Sequence, residues 1–172
     1  AAEANPKSAE PYVALAELYR RANDVEQAVS EYRRAIALQP QNLDYRLTLA
    51  NLLESMGRLD EALAEVQEAA VQSPEDPALR QSLAFLYQRL QMYPEALAEA
   101  QAAAQLAPSD PTPQLLIGDI SRAMNDVQTA AGAYEQALVL SPNLDNAWNV
   151  HLNLALIYQT EGDLARAMAH AT

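Results

Sequence analysis

Apolar positions recur along this chain at helical spacing. Tyr12, Leu15, Ala16, Leu18 and Tyr19 follow the i, i+3, i+4, i+7 pattern that gathers side chains on one helix face. The pattern breaks at Asn23 and resumes with Ala28, Val29, Tyr32, Ala35 and Ile36. Two amphipathic helices joined by a tight turn are predicted here. The same phrase then returns. Proline stands at 6, 40, 74, 108 and 142, each step being 34 residues, and alanine at 28, 62, 96, 130 and 167, with steps of 34, 34, 34 and 37. A second alanine series runs through Ala35, Ala69, Ala103 and Ala137. Three series sharing one period mark a repeat architecture.

The punctuation fits helical hairpins. Gly57 and Gly162 fall at the turn inside a repeat, with Asn23 and Asn125 at the equivalent points. All four accept the left-handed backbone that ends a helix well, whereas Gln91, at the third turn, suits it less. Pro40 and its equivalents stop each second helix, because proline lacks the N–H and restrains the residue before it. Asp76-Pro77 and Asp110-Pro111 each offer a capping oxygen followed by proline at the first helical position. Asn42 and Ser8 are the capping candidates for the other two first helices. Pro94 is placed at the start of a second helix, since inside it would cost about 3 kcal/mol.

Taken together, these residues resemble the tetratricopeptide repeat. Repeat one carries Tyr12, Leu15, Ala16, Tyr19, Ala28, Tyr32, Ala35 and Pro40; repeat two carries Arg46, Leu49, Ala50, Leu53, Ala62, Val66, Ala69 and Pro74. Repeat three reads Arg80, Leu83, Ala84, Tyr87, Ala96, Ala100, Ala103, Pro108, and repeat four Gln114, Ile117, Gly118, Ser121, Ala130, Tyr134, Ala137, Pro142. The fifth has Leu154, Ala155, Tyr158 and Ala167. The resemblance implies an all-α fold, a right-handed α-solenoid of stacked antiparallel helix-turn-helix units. It predicts the end of a preceding helix at 1–8, full repeats at 9–42, 43–76, 77–110 and 111–144, and a partial fifth at 145–172. A chain that opens and closes inside repeats is expected to continue on one side, or to associate through its ends. Ser121 and Ala100 stand where the family has aromatics, so looser packing is expected in repeats three and four. Three extra residues near "LDNAWNV" predict a first helix in repeat five about one turn longer.

Composition narrows the function. With 172 residues and half of them hydrophobic, the chain can bury a sizeable core. No cysteine is present, so disulfides and thiolate metal sites are excluded, while the compartment stays open. The formal net charge of −12 argues against nucleic acid as a partner, and the Arg20-Arg21 and Arg33-Arg34 pairs sit among glutamates as solvated helix faces. No apolar run reaches the length of a membrane span, although an anchor upstream is compatible with the sequence. No phosphate-cradling glycine-rich loop, no G-x-S-x-G and no H-E-x-x-H occurs, and no cofactor is expected. Of the two histidines, His151 is assigned to helix packing and His170 to solvent.

The remaining candidate is a surface. In the resembling family the first helices line a concave groove that holds peptides or helices. Carried onto this chain, that groove comprises Val13, Glu17, Arg20, Leu47, Asn51, Glu54, Gln81, Phe85, Gln88, Arg89, Leu115, Asp119, Arg122, Leu152 and Leu156. Leu47, Phe85, Leu115 and Leu156 are expected to be apolar without serving the core. The lysine-and-arginine clamp by which some family members grip a C-terminal carboxylate is absent. Val13, Glu17, Thr48, Ala78 and Ser82 occupy its places, and Lys7 is the only lysine. The resemblance therefore implies a non-enzymatic scaffold or assembly factor for a protein or peptide partner, neutral or basic given the acidic chain. The alternative is a module that forms homo-oligomers through its terminal helices.

Overall fold

The computed structural model describes residues 8–142 and 147–171. Within them lie ten α-helices and no strand: α1 (Glu10–Arg21), α2 (Val25–Leu38), α3 (Leu43–Ser55), α4 (Leu59–Gln72), α5 (Pro77–Arg89), α6 (Tyr93–Leu106), α7 (Thr112–Ala123), α8 (Val127–Leu140), α9 (Ala147–Glu161) and α10 (Leu164–Ala171). Consecutive helices pair as five hairpins. One or two residues beyond each first helix the backbone takes a positive φ: Asn23 at 59°, Gly57 at 74°, Gln91 at 61°, Asn125 at 63° and Gly162 at 79°. Gln91 thus adopts the same left-handed turn as the residues better suited to it. Its amide N–H donates to the Gln88 carbonyl, and the next one, on Met92, to Tyr87.

Capping follows the sequence at α3 and α5 and departs from it at α7 and α1. Asn42 and Asp76 accept from the backbone N–H groups of Asp44 and Ala78, at 3.1 and 2.8 Å. Asp110 accepts from Thr112 at 2.9 Å, so α7 starts one residue later than Pro111 suggests. Ser8 does not cap: α1 begins after Ala9, with no side-chain cap and with Pro11 in its first turn. Pro94 lies in the first turn of α6.

The chain forms two compact units, divided between Pro74 and Glu75. In the first, α1–α2 and α3–α4 pair and α2 packs on α3. Its core is Ala16, Ala28, Val29, Tyr32 and Ala35 with Leu49, Leu53, Ala62, Val66 and Ala69. The alanines let the helix axes approach, and the larger side chains fill the seam. Each buried Leu, Val or aromatic contributes about 1.5–3 kcal/mol by leaving water.

In the second unit α5–α6, α7–α8 and α9–α10 pair, with α6 on α7 and α8 on α9. One cluster joins Ala84, Ala96 and Ala100 to Ile117, Ile120 and Ala133. Another joins Ala130, Ala131 and Tyr134 to Val150, Leu154, Ile157, Tyr158 and Ala167. Ala100 is fully buried within the first cluster, so the lost aromatic leaves a small residue under neighbouring side chains. Ser121 is buried with its hydroxyl unpaired. Helix α9 has 15 residues where the other first helices have 12 or 13, the direction expected from the longer fifth repeat. Asn143 to Asn146, where the extra residues enter, lie outside the described residues, as do the first seven positions.

Polar pairs repeat with the hairpins. Arg46 donates to Glu65 at 2.8 Å and Arg80 to Glu99 at 2.9 Å, both partners being 19 residues apart. In the fifth hairpin the pair at that separation is His151 and His170, whose Nδ1 atoms are 2.9 Å apart. His170 is therefore only half-exposed and engaged, not the solvent-facing side chain expected. Between hairpins of the first unit, Arg33 reaches Glu61 at 2.5 Å and Arg58 reaches Glu26 at 3.0 Å. Hydrogen bonds from Arg58, then Arg33, hold the Glu61 carboxyl down to about 2.

Candidate protein-binding face

The predicted positions on the first helix of each hairpin are spaced four and seven apart, a separation that keeps them on one helix face. On α1 this face carries Val13, Glu17 and Arg20. Glu17 accepts from Arg20 at 2.7 Å and from the buried Tyr32 hydroxyl. Those bonds, Arg20 first, lower the Glu17 pKa, and burial followed by the carboxylate raises that of Tyr32. Asp119 on α7 repeats the arrangement: the Tyr134 hydroxyl donates to it at 2.5 Å, the two residues again being 15 apart. Burial first, then Asp119, raises the Tyr134 pKa, while Arg122 acts against it. Glu17, Arg20 and Asp119 are thus already engaged within their own hairpins.

The remaining predicted positions divide by exposure. Asn51 is exposed on α3, whereas Val13, Leu47 and Glu54 are half-buried. On α5 Phe85 is 40% exposed, and the Arg89 guanidinium stands 5.9 Å from its ring centroid. Gln88 is half-buried, and Gln81 donates to Asp110 at 2.7 Å. Leu115 on α7 is half-buried and packs against the cluster around Tyr134, so the core does use it, contrary to expectation. Leu47 likewise is not a free surface residue. Arg122 is exposed. On α9, Leu152 and Leu156 are 48% and 52% exposed.

The fifth hairpin carries more apolar surface than the sequence reading assigned to it. Trp148 on α9 and Leu164 and Met168 on α10 are all exposed. Trp148, His151, Leu152 and Ala155 line one side of a pocket of about 610 Å³, and Ala169, His170 and Ala171 line the other. The signal was present: Leu164 and Met168 follow the 37-residue step from Val127 and Ala131, which the next hairpin covers in α8. Among the described residues no group of three or more His, Asp or Glu side chains is placed to hold a metal ion. No described helix is long and apolar enough to cross a membrane.

The tetratricopeptide repeat model matches residues 13–77, 47–111 and 115–172, nearly the whole chain. The chain belongs to the tetratricopeptide repeat family. Solved structures agree on the fold. A MamA fragment from Desulfovibrio magneticus RS-1 superposes with a TM-score of 0.81 at 17% identity, covering 94% of this chain and 90% of that one. YrrB, described as a tetratricopeptide repeat protein with an unusual peptide-binding site, gives 0.76 at 20% identity over 98% and 86%. PilW, a type IV pilus biogenesis factor, gives 0.77 at 14% identity over 98% and 77%. At these identities the likeness carries the fold alone, an all-α tetratricopeptide solenoid of five hairpins. No curated protein matches the sequence.

Proposed function

We propose that this tetratricopeptide chain is a non-enzymatic adaptor that holds an extended or helical segment of another protein on its first-helix face. The observation that carries the reading is the exposure of Phe85, Leu152 and Leu156 on first helices of the second unit. Large apolar side chains gathered on an exposed face mark interaction surfaces. Exposed Gln159 and half-buried Gln88 border them and can bond a partner's backbone. The net charge of −12 favours a neutral or basic segment through complementarity and steering. YrrB's peptide-binding site and PilW's part in pilus biogenesis are compatible with a partner that is itself a protein.

The test is an array of immobilised neutral and basic peptides, followed by titration of the best binder. Phe85→Glu and Leu156→Glu should each weaken binding by about tenfold or more, as expected for central apolar anchors, with helicity unchanged. Normal binding by both variants would refute the assignment of this face.

A further inference from the structure

Two register positions 19 residues apart face each other across the helices of a hairpin. Arg46 and Glu65 fill them in the second hairpin, and Arg80 and Glu99 in the third. The fifth hairpin fills both with histidine. His151 on α9 and His170 on α10 meet through their Nδ1 atoms at 2.9 Å, with ring centroids 5.1 Å apart. They are the only histidines of the chain. Neutral imidazole nitrogen is the commonest protein ligand for metals and suits nickel, copper and zinc. Two such nitrogens on facing helices are the start of a chelate.

The surroundings favour a cation. Burial first, then His151, holds the His170 pKa below its ordinary value, which keeps the ring in the neutral form that a metal needs. The Glu135 carboxylate acts on the same ring from α8, where the Tyr158 hydroxyl donates to it at 2.5 Å. The contact is internal to one hairpin. Arg80 and Glu99 show that these two positions stay open to water when another hairpin is packed beyond them. With α7 and α8 in place, their side chains remain 26% and 22% exposed.

Distance separates the candidate ions. Metal–nitrogen bonds of about 2.05 Å set at right angles place their nitrogens about 2.9 Å apart, and at the tetrahedral angle about 3.3 Å apart. The observed separation matches the first arrangement, that of nickel(II) and copper(II), and opens slightly for zinc(II). Turning each ring about its Cβ–Cγ bond, a soft torsion in histidine, aims both lone pairs at one point. The proton between the rings then passes to an Nε2 atom. We propose that His151 and His170 form a two-nitrogen site for a divalent late transition-metal ion, with water completing its coordination. The ion clamps α10 to α9. The site is separate from the peptide-binding reading, because neither Phe85 nor Leu156 takes part.

Isothermal titration of the chain with nickel(II) and zinc(II) chloride at neutral pH tests it. One ion should bind per chain, and saturation should raise the melting midpoint of this hairpin, read from Trp148 fluorescence. Excess magnesium should not compete, because a hard cation selects oxygen ligands. His151→Gln and His170→Gln should each weaken binding by at least about tenfold, the scale on which even a contact supporting a metal ligand counts. His151→Arg with His170→Glu, which copies the Arg46–Glu65 pair, should keep the helicity and lose the site. No saturable binding up to roughly millimolar metal would overturn the inference. So would binding that magnesium displaces, or that survives both glutamine substitutions, since the ion would then belong to the surface carboxylates.

Discussion

Gly118 is the sharpest test of packing inside a hairpin. The other four hairpins place alanine at its register, as Ala16, Ala50, Ala84 and Ala155. A Cβ added to Gly118 would stand 2.6 Å from Tyr134 Cε1, 2.7 Å from Cδ1 and 3.0 Å from Cζ. The ring cannot easily withdraw: Tyr134 is 1% exposed, and its hydroxyl is anchored on Asp119 at 2.5 Å. Gly132, on the exposed side of α8, has nothing within 4 Å of the same added atom. Replacing glycine by alanine inside a helix gains about 1 kcal/mol at either site. Overpacking costs about 1–3 kcal/mol, at Gly118 only. Gly132→Ala should therefore stabilise by about 1 kcal/mol, while Gly118→Ala should range from neutral to about 2 kcal/mol destabilising.

The measurement is urea unfolding of both variants beside the parent, followed by circular dichroism. If a repeat array unfolds in more than one step, amide exchange in α7 and α8 gives the same comparison. Adding Tyr134→Leu should relieve the strain, with a coupling to Gly118→Ala of at least about 1 kcal/mol in the double-mutant cycle. Equal stabilisation by the two alanines would refute the close-packed account of this seam.

Ala62→Glu buries an unpaired carboxylate at a fully buried helix-pairing position and should cost about 3 kcal/mol or more, read as a lowered thermal midpoint; an unchanged midpoint would contradict the burial. The histidine pair makes the fifth hairpin acid-sensitive. Burial first, then His151, lowers the His170 pKa, with Glu135 opposing, and the pair is flanked by Tyr158, over whose ring Arg166 sits. A depressed folded-state value means stability present above histidine's ordinary value and lost as pH falls below it. Trp148, the only tryptophan, lines the same pocket and should report a lower melting midpoint for this hairpin at about pH 5 than at about pH 8. His151→Arg with His170→Glu, which copies the Arg46–Glu65 pair, should abolish the difference; identical wild-type midpoints at both pH values would refute the coupling.

Much of the backbone plan was legible because it rests on local chemistry written several times. Asn23, Gly57, Asn125 and Gly162 announce turns, and Gln91 could be assigned by period although its type is poor for the conformation. The binding face was less legible, because the same register position serves different purposes in different hairpins. Leu115 and Leu152 differ by the 37-residue step, yet one packs on the core and the other faces solvent. What sets Leu115 apart is the neighbouring hairpin whose cluster it packs against, a property of the stack that no single repeat encodes. Glu17 and Asp119 show the converse. Acidic residues on an exposed helix face look available for a partner until the tyrosine 15 residues downstream is seen to occupy them.

The histidines illustrate how the period could have been used further. Arg46–Glu65 and Arg80–Glu99 show that two register positions 19 residues apart face each other inside a hairpin. Any pair found there must tolerate contact. In the fourth hairpin those places hold Gln114 and Ala133, which make no demand on each other's charge. In the fifth they hold two imidazoles, which can share one proton but repel when both are charged. Where the second and third hairpins carry an ion pair insensitive to pH near neutrality, the fifth carries a histidine contact that weakens in acid. Because His170 lies on the short helix α10 and meets His151 on α9, protonating both rings loosens α10 from α9.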